Sequence, residues 1–149
     1  PFVIIRRATL KYTPRITKKE RKNMELRFYI CRHCGNITVK VKDSGVPLVC
    51  CGEKMTELIP GTTDASAEKH VPLWTVEQNT VRVRVGAAEH PMLPVHYIEW
   101  IALQTRQGMQ FKSMHPGDKP EASFALSQGD EAQAVYAYCN LHGLWMTEV

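Results

Sequence analysis

Four of the five cysteines lie close together in the chain, and this clustering constrains the fold more than any other feature. Cys31 and Cys34 are separated by two residues, whereas Cys50 and Cys51 are adjacent. The N-terminus lacks the pattern of a secretory signal, and an odd number of cysteines argues against a disulfide framework. Four thiolates around one ion are typical of zinc or iron sites. The spacing alone leaves a structural zinc, a mononuclear iron and redox disulfide chemistry open.

The segment around these cysteines is predicted to be a small unit held together by its metal. Three short strands are indicated, at residues 27–30, 37–41 and 47–49. A turn is indicated at residues 43–45. A unit of about 35 residues buries too little apolar surface to be stable alone, so the four cysteines are expected to be structurally necessary. Because adjacent side chains of a strand point to opposite faces, Cys50 and Cys51 require a strained corner, which Gly52 helps to permit.

The chain from residue 71 onwards is predicted to form a β-sandwich. Val81, Val83 and Val85 alternate with two arginines, which is the period of a half-buried strand. Further strands are indicated at residues 97–103, 109–112, 122–126 and 134–138. Gly and Pro turns separate these segments, as they do in sandwiches. The predicted fold class is therefore all-β, with a small metal-bound domain at residues 24–60 followed by an immunoglobulin-like β-sandwich at residues 61–149.

The positive charge of the chain is confined to its N-terminal stretch. Residues 1–22 contain eight Lys or Arg against Glu20 alone, a net +7, which leaves −3 for the rest of the chain within the total of +4. Residues 1–23 are interpreted as a basic extension, and nucleic-acid binding is not expected of the folded part. No apolar run approaches the ~20 residues of a membrane span, so the protein is expected to be cytoplasmic and not membrane-bound.

Four histidines and the fifth cysteine form a second candidate metal site. The histidines are His70, His90, His96 and His142, and Cys139 precedes the last of them by three residues. A lone histidine in a β-rich chain is more often a surface or satisfied core residue than a ligand. The set is a stronger signal than its members, because His90 and His96 flank one loop and the Cys-x-x-His spacing brings a thiolate and an imidazole together. Loops at one end of a sandwich can make both arrangements converge.

Several stretches of the chain resemble a known family. Glu-Lys-His-Val-Pro, His-Pro-Met, His-Tyr-Ile-Glu-Trp-Ile and Cys-Asn-Leu-His-Gly are similar to the signature stretches of superoxide reductases. The cysteine quartet is similar to the desulforedoxin-type iron centre, and the resemblance to two-iron superoxide reductases of the desulfoferrodoxin family covers about residues 25–149. It implies two mononuclear iron ions. One ion would be bound by Cys31, Cys34, Cys50 and Cys51, and the other by His70, His90, His96 and His142, with Cys139 as the axial ligand.

The resemblance also implies a reaction and its partners. Superoxide would be reduced to hydrogen peroxide at the coordination position that five protein ligands leave open. Lys69 is similar to the mobile lysine of the family, which attracts the anion, and Glu68 is similar to a glutamate that can occupy the open position after oxidation. The family expectation for the reductant is a rubredoxin-like carrier, and a homodimer is expected.

Two other functions stay open at this point. An electron-transfer module would use the cysteine quartet and leave the second site coordinatively closed. A superoxide dismutase would also release dioxygen without consuming a reductant. Of the remaining candidates, His33 and His115 are interpreted as exposed surface residues, and Trp74, Trp100 and Trp145 as core packing.

Overall fold

A computed structural model describes residues 26–63 and 65–149, in which the chain forms twelve β-strands and one short helix. In chain order these are β1 (Phe28–Ile30), β2 (Ile37–Val39), β3 (Val49–Cys50), β4 (Glu53–Lys54), β5 (Thr56–Leu58), α1 (Ala67–His70), β6 (Pro72–Glu77), β7 (Thr80–Val85), β8 (Ile98–Thr105), β9 (Met109–Ser113), β10 (Glu121–Ala125), β11 (Ala132–Cys139) and β12 (Gly143–Glu148). Within the two described ranges, no helix is both long enough and apolar enough to cross a membrane. The basic extension predicted at residues 1–23 lies outside the described residues.

Seven of the strands form a sandwich of two antiparallel sheets. One sheet has the order β10-β7-β6 and the other has the order β12-β11-β8-β9. In β7 the three valines are buried and the two arginines are exposed, as the alternating pattern predicts. The valines pack between the sheets with apolar side chains of the second sheet, including Ile98, Ile101, Leu103, Val135 and Ala137. The predicted all-β class with a sandwich is confirmed.

The N-terminal strands form a third layer on this sandwich. Their sheet has the order β2-β1-β5. It packs Phe28, Ile30 and Leu58 against the outer face of the four-stranded sheet, where the cluster includes Trp100, Ala102, Tyr136 and Tyr138. The ring of Phe28 lies 5.0 Å from that of Trp100 and 5.3 Å from that of Tyr136. The small N-terminal unit therefore shares its apolar core with the sandwich, and Trp100 is a packing residue as predicted.

The adjacent cysteines occupy a tight hairpin. Strands β3 and β4 pair with Cys50 opposite Glu53, which leaves Cys51 and Gly52 as a two-residue loop. The φ angles of these two residues are 51° and 80°, and positive φ at both positions is typical of a type I′ turn. The strained corner predicted at this pair, with Gly52 helping to permit it, is confirmed.

The short helix α1 is an element that the sequence analysis did not anticipate. It spans one turn, closed by a 3.0 Å hydrogen bond from the Val71 amide to the Ala67 carbonyl. A helix of four residues has no repeating apolar face that would reveal it in the sequence. An isolated helix of this length is unstable in water, so its shape depends on the segments packed against it.

Candidate metal centres

The cysteine quartet converges at one end of the N-terminal sheet. The four sulfur atoms all lie within 4.8 Å of one another. The Cys34 and Cys50 sulfurs are 3.6 Å apart, and the Cys50 and Cys51 sulfurs are 3.9 Å apart. Cys31 directly follows β1 and is buried, whereas Cys34 and Cys51 are exposed. Sulfurs contributed by two hairpin-like corners thus surround one point near the surface.

The protein environment shifts the pKa values of the thiols in different directions. The backbone amide of Cys34 donates to the Cys31 sulfur and is the main reason that the Cys31 pKa falls to about 6. Hydrogen bonding to Cys34 is the main reason that the Cys51 pKa rises to about 12, and the pKa of Cys50 is also raised. Four thiolates this close repel one another unless a cation lies between them. The donor set therefore fits a thiolate-bound metal ion, which would deprotonate all four thiols.

Four histidine rings face one another around a common centre at one end of the sandwich. The neighbouring pairs in the order His70, His90, His96 and His142 have centroids 4.6–4.8 Å apart, with planes inclined by 77–80°. The opposite rings of His70 and His96 are 6.1 Å apart and inclined by only 26°. This arrangement is approximately a square with a ring at each corner. A central ion would lie about 3 Å from the ring centroids, consistent with metal–nitrogen bonds of about 2 Å.

Hydrogen bonds determine which nitrogen faces this centre in two of the rings. The Nδ1 atoms of His70 and His90 lie 2.7 Å and 2.5 Å from the carbonyl oxygens of Ser66 and Pro91. An Nδ1–H that donates to a carbonyl leaves the lone pair on Nε2, and metal-binding histidines commonly donate their other ring N–H in this way. Nε2 of His90 and Nε2 of His96 are buried without any hydrogen-bond partner in the described part of the chain. A metal ion bound between these two buried nitrogens would give both of them a partner.

His142 turns its other nitrogen to the same centre. Its Nδ1 lies 2.9 Å from Nε2 of His70 and 3.6 Å from the sulfur of Cys139. Two ligands at right angles with bonds of about 2.1 Å would be about 3 Å apart, which matches the spacing of the two nitrogens. The candidate ligand atoms are therefore Nε2 of His70, His90 and His96, Nδ1 of His142 and the Cys139 sulfur.

Burial prepares these side chains for a metal. Burial is the main reason that the pKa of His90 falls to about 4. It is also the main reason that the pKa values of His70 and His96 are lowered, so these three rings are neutral at pH 7. Burial raises the pKa of the Cys139 thiol, and backbone hydrogen bonds from His142 and Leu141 act in the opposite direction. Neutral imidazoles and a thiol that ionises when a cation arrives are the protonation states that metal ligation needs.

Asn140 joins by hydrogen bonds the two loops that carry candidate ligands, and the sequence analysis did not single it out. Its Oδ1 accepts a 2.9 Å hydrogen bond from the Tyr97 amide, and its Nδ2 donates to the Val95 carbonyl at 3.1 Å. The loop with His90 and His96 is thereby joined to the turn after Cys139. Its position inside the Cys-Asn-Leu-His stretch was the only sequence signal for this role, because polar residues are common in turns.

Trp145 packs directly on the histidine cluster. Its ring stacks on that of His70 with a centroid distance of 5.0 Å, and its Nε1 donates to the His142 carbonyl at 3.1 Å. Trp145 is 5% exposed, so it separates one side of the cluster from solvent. The prediction of core packing is confirmed for this residue, and the structure adds its contact with the site.

The structure also locates the other predicted residues. Glu68 and Lys69 are exposed in α1, directly before the buried His70. The charge of Lys69 contributes to the lowered pKa values of His70 and His96, although burial is the larger cause, so the ammonium lies close to the cluster. His33 and His115 are exposed, as predicted, and belong to neither group.

Comparisons with known proteins agree with both groups. The family model described as "Desulfoferrodoxin, N-terminal domain" matches residues 23–58, and the model described as "Desulfoferrodoxin" matches residues 62–148. A desulfoferrodoxin of Nitratidesulfovibrio vulgaris is 46% identical over 123 residues, which cover 80% of this chain and 94% of that protein. A desulfoferrodoxin of Clostridium acetobutylicum is 39% identical over 127 residues, which cover 85% of this chain and 99% of the relative.

Two further relatives carry another name. The crystal structure of the superoxide reductase from Treponema pallidum matches with a TM-score of 0.70 and 37% identity, over 83% of this chain and 98% of that chain. A superoxide reductase of Pyrococcus horikoshii is 35% identical over 104 residues, which cover 58% of this chain and 90% of the relative. The structural match spans both the N-terminal layer and the sandwich.

Proposed function

The chain belongs to the desulfoferrodoxin family, and from that membership we propose that it is a superoxide reductase with two mononuclear iron ions. The observation that carries this function is the square of four histidines with Cys139 beside it. Structural zinc sites are closed by four ligands, whereas a set of five protein donors fits iron and would leave room for a substrate on the ion. The superoxide reductase from Treponema pallidum shares the fold over 98% of its length, and that of Pyrococcus horikoshii is similar in sequence over 90% of its length.

The protein side chains define how the anion reaches this site. Iron held by the five side chains would supply the electron and a place for superoxide to bind. We assign the ligand role to His70, His90, His96, His142 and Cys139. Lys69 places a positive charge near the cluster, which attracts superoxide, and Glu68 is proposed to approach the open position after oxidation. Trp145 and the buried faces of the rings limit access of water from the other side.

The second ion belongs to the cysteine quartet. Cys31, Cys34, Cys50 and Cys51 are proposed to bind it through four thiolates, as the mutual distances of their sulfurs support. Asn36 donates to the Cys50 sulfur at 3.7 Å, and such hydrogen bonds tune a thiolate-bound iron. We propose residues 24–60 and 61–149 as the two domains, with residues 1–23 as the extension.

The electron is proposed to come from a small rubredoxin-like carrier that docks beside the histidine site. Leu93, Val95 and Leu141 are 58%, 73% and 58% exposed and lie on the two loops that Asn140 joins. Among the four histidines only His96 and His142 are partly exposed, so these are the two that a docked carrier could contact. An apolar surface at that point suits a transient protein contact. Val95→Gln should slow reduction by such a carrier while leaving reduction by a chemical donor unchanged.

The oligomeric state and the cellular location are also proposed. We propose a cytoplasmic homodimer, for which the family resemblance is the support. Size-exclusion chromatography with light scattering would test the homodimer directly. A monomer at micromolar concentration would contradict it.

One set of measurements tests the function. Metal analysis should find two irons per chain, and the oxidised protein should show thiolate-to-iron charge transfer from both sites. Superoxide removal should consume a reductant without releasing dioxygen, and azide should perturb the spectrum of the oxidised histidine site.

Cys139→Ser should abolish the charge-transfer band of the histidine site and its turnover. Dioxygen release without use of reductant would indicate a dismutase, and a site that does not respond to azide would indicate an electron-transfer module.

A further inference from the structure

The turn that follows β7 is hydrogen bonded to the backbone of α1. The amides of Ala87 and Ala88 both donate to the Glu68 carbonyl, at 2.7 Å and 3.2 Å, and the Gly86 amide donates to the Val71 carbonyl at 3.0 Å. The same turn leads directly to His90. It therefore connects the backbone of the segment that carries Glu68, Lys69 and His70 with the next histidine of the cluster.

Gly86 allows this turn to approach α1 unusually closely. A Cβ atom at this position would lie 2.6 Å from the Lys69 carbonyl oxygen and 2.9 Å from its carbonyl carbon, with the Ala88 carbonyl oxygen at 2.4 Å. All three are backbone atoms, so no side-chain rotation can relieve the contact. The φ of Gly86 is 83°, a conformation that residues with a Cβ rarely adopt. Position 86 thus excludes a side chain for two separate reasons.

Other turn glycines have the positive φ but not the close backbone contact. Gly129 has a φ of 77°, yet a Cβ built there would meet no atom within 4 Å. The close approach at Gly86 is consequently more than a requirement of the turn. It determines how near the Lys69 backbone lies to the end of β7.

We propose that Gly86 is a positioning residue for the superoxide site, which acts by holding the backbone of Lys69 so that its ammonium faces the open position. This inference rests on the proposed function, because it assigns a part in the capture of the anion. A Cβ at position 86 would push the Lys69 carbonyl away by roughly half an ångström or more, since carbon and oxygen atoms prefer contacts above about 3 Å. The long side chain of Lys69 starts at this backbone.

The expected effect is a loss of anion capture without loss of the metal. Misplacement of a catalytic group by about 1 Å can reduce a rate by about 10²-fold, so Gly86→Ala should slow the reaction of superoxide with the reduced protein by about tenfold or more. The affinity of the oxidised protein for azide, used as an anion probe, should fall in the same direction. Iron content should stay at two per chain, because no ligand is changed.

Matched variants separate positioning from backbone strain. Gly129→Ala introduces a Cβ at a similar φ but in open space, so it should lower stability without changing the superoxide rate or the azide affinity. Gly86→Asn and Gly129→Asn repeat the comparison with the residue that tolerates positive φ best after glycine. This second pair keeps the test available if Gly86→Ala yields too little folded protein.

A double-mutant cycle identifies the route of the effect. If Gly86 acts through Lys69, then Gly86→Ala should have little further effect on rate or azide affinity in a Lys69→Ala background. An undiminished effect in that background would overturn the proposal, and so would loss of iron from the histidine site. Equal behaviour of the Gly86 and Gly129 variants would also overturn it. Failure of both Gly86 variants to fold while the Gly129 variants fold would assign the contact to stability alone. A parent protein that does not reduce superoxide would instead refute the proposed function.

Discussion

Lys69 illustrates how one exposed charge can matter in a chain whose folded part is mildly acidic. Residues 23–149 carry a net charge of −3, so an anion that approaches them needs a local positive potential. The Lys69 charge reaches the histidine cluster, where it contributes to the lowered pKa values of His70 and His96. Electrostatic steering of this kind changes association rates by about 10–10³-fold and weakens as salt screens it.

We therefore expect Lys69→Ala to slow the reaction of superoxide with the reduced protein and to make it less sensitive to ionic strength. Lys69→Arg should recover much of the steering, because it restores the charge. Pulse radiolysis over a range of salt concentrations would measure both effects. Lys54→Ala is the matched control, since it removes the same charge from an exposed position on the hairpin of the cysteine quartet. If both alanine variants behave alike, Lys69 has no special part.

The buried histidines make the iron-free protein sensitive to acid. The pKa of His90 is about 4 in the folded chain against 6.5 for an unperturbed histidine, mainly because of burial, and those of His70 and His96 are lowered for the same main reason. Between these values the unfolded chain binds more protons than the folded chain. The free energy of unfolding should therefore decrease as the pH falls from about 6.5 to about 4.

Chemical denaturation of the iron-free protein at several pH values would measure this slope. His90→Gln should reduce the slope, because one group that titrates differently in the two states has been removed. His115→Gln is the control, since His115 lies outside the cluster with 79% of its side chain exposed. A slope that His90→Gln leaves unchanged would contradict the assignment.

At the scale of elements, β1 matters more for packing than its three residues suggest. All three are buried. The Phe28 ring contacts the rings of both Trp100 and Tyr136, which belong to β8 and β11 of the sandwich. Strands β8 and β11 are accordingly covered on both faces, one by the sandwich core and one by the N-terminal layer. A strand with two buried faces reads as a continuous apolar run rather than an alternating one.

Phe28→Ala should lower the free energy of unfolding of the whole chain by about 3–5 kcal/mol, the usual range for a buried phenylalanine. Phe111→Ala is a matched control, because Phe111 also contacts Trp100, at 5.4 Å, but is 49% exposed. Denaturation followed by tryptophan fluorescence would compare the two variants. If Phe28→Ala costs no more than Phe111→Ala, then the N-terminal sheet and the sandwich do not share a core.

At the scale of the whole molecule, the two metal sites belong to different layers. The quartet lies in the loop after β1 and on the β3–β4 hairpin. The histidine site lies on α1, on the β7–β8 loop, and at the end of β11 with the turn that follows it. The layers meet through Phe28, Ile30 and Leu58, none of which lies on that hairpin. Damage to the hairpin should therefore leave the shared core in place.

Cys50→Ser should accordingly remove the iron of the quartet and leave superoxide reduction at the histidine site largely intact. Iron analysis should find one ion per chain where the parent has two. Superoxide removal with a chemical reductant should continue, because that reductant does not need the first site. Loss of activity with the second iron still bound would show that the sites depend on each other.

Much of the local chemistry could be predicted from the sequence. The cysteine spacing and Gly52 predicted a strained corner, and the structure has positive φ at Cys51 and Gly52. The valine alternation predicted β7 and its buried face, and the stretch around Cys139 and His142 predicted that a thiolate and an imidazole lie together. Such features depend on a few neighbouring residues, whose covalent geometry restricts what the backbone can do.

Only the tertiary structure decided the arrangement of distant segments. It placed the four rings in a square, turned Nδ1 of His142 rather than Nε2 to its centre, and joined the two ligand loops through Asn140. It also placed the N-terminal sheet on the sandwich and brought Gly86 against Lys69. These contacts join residues far apart in the chain, and each forms only when the packing of whole layers offsets the conformational entropy lost on folding. No local pattern encodes that balance, so spacing and the family resemblance indicated the candidate ligands while the fold determined their geometry.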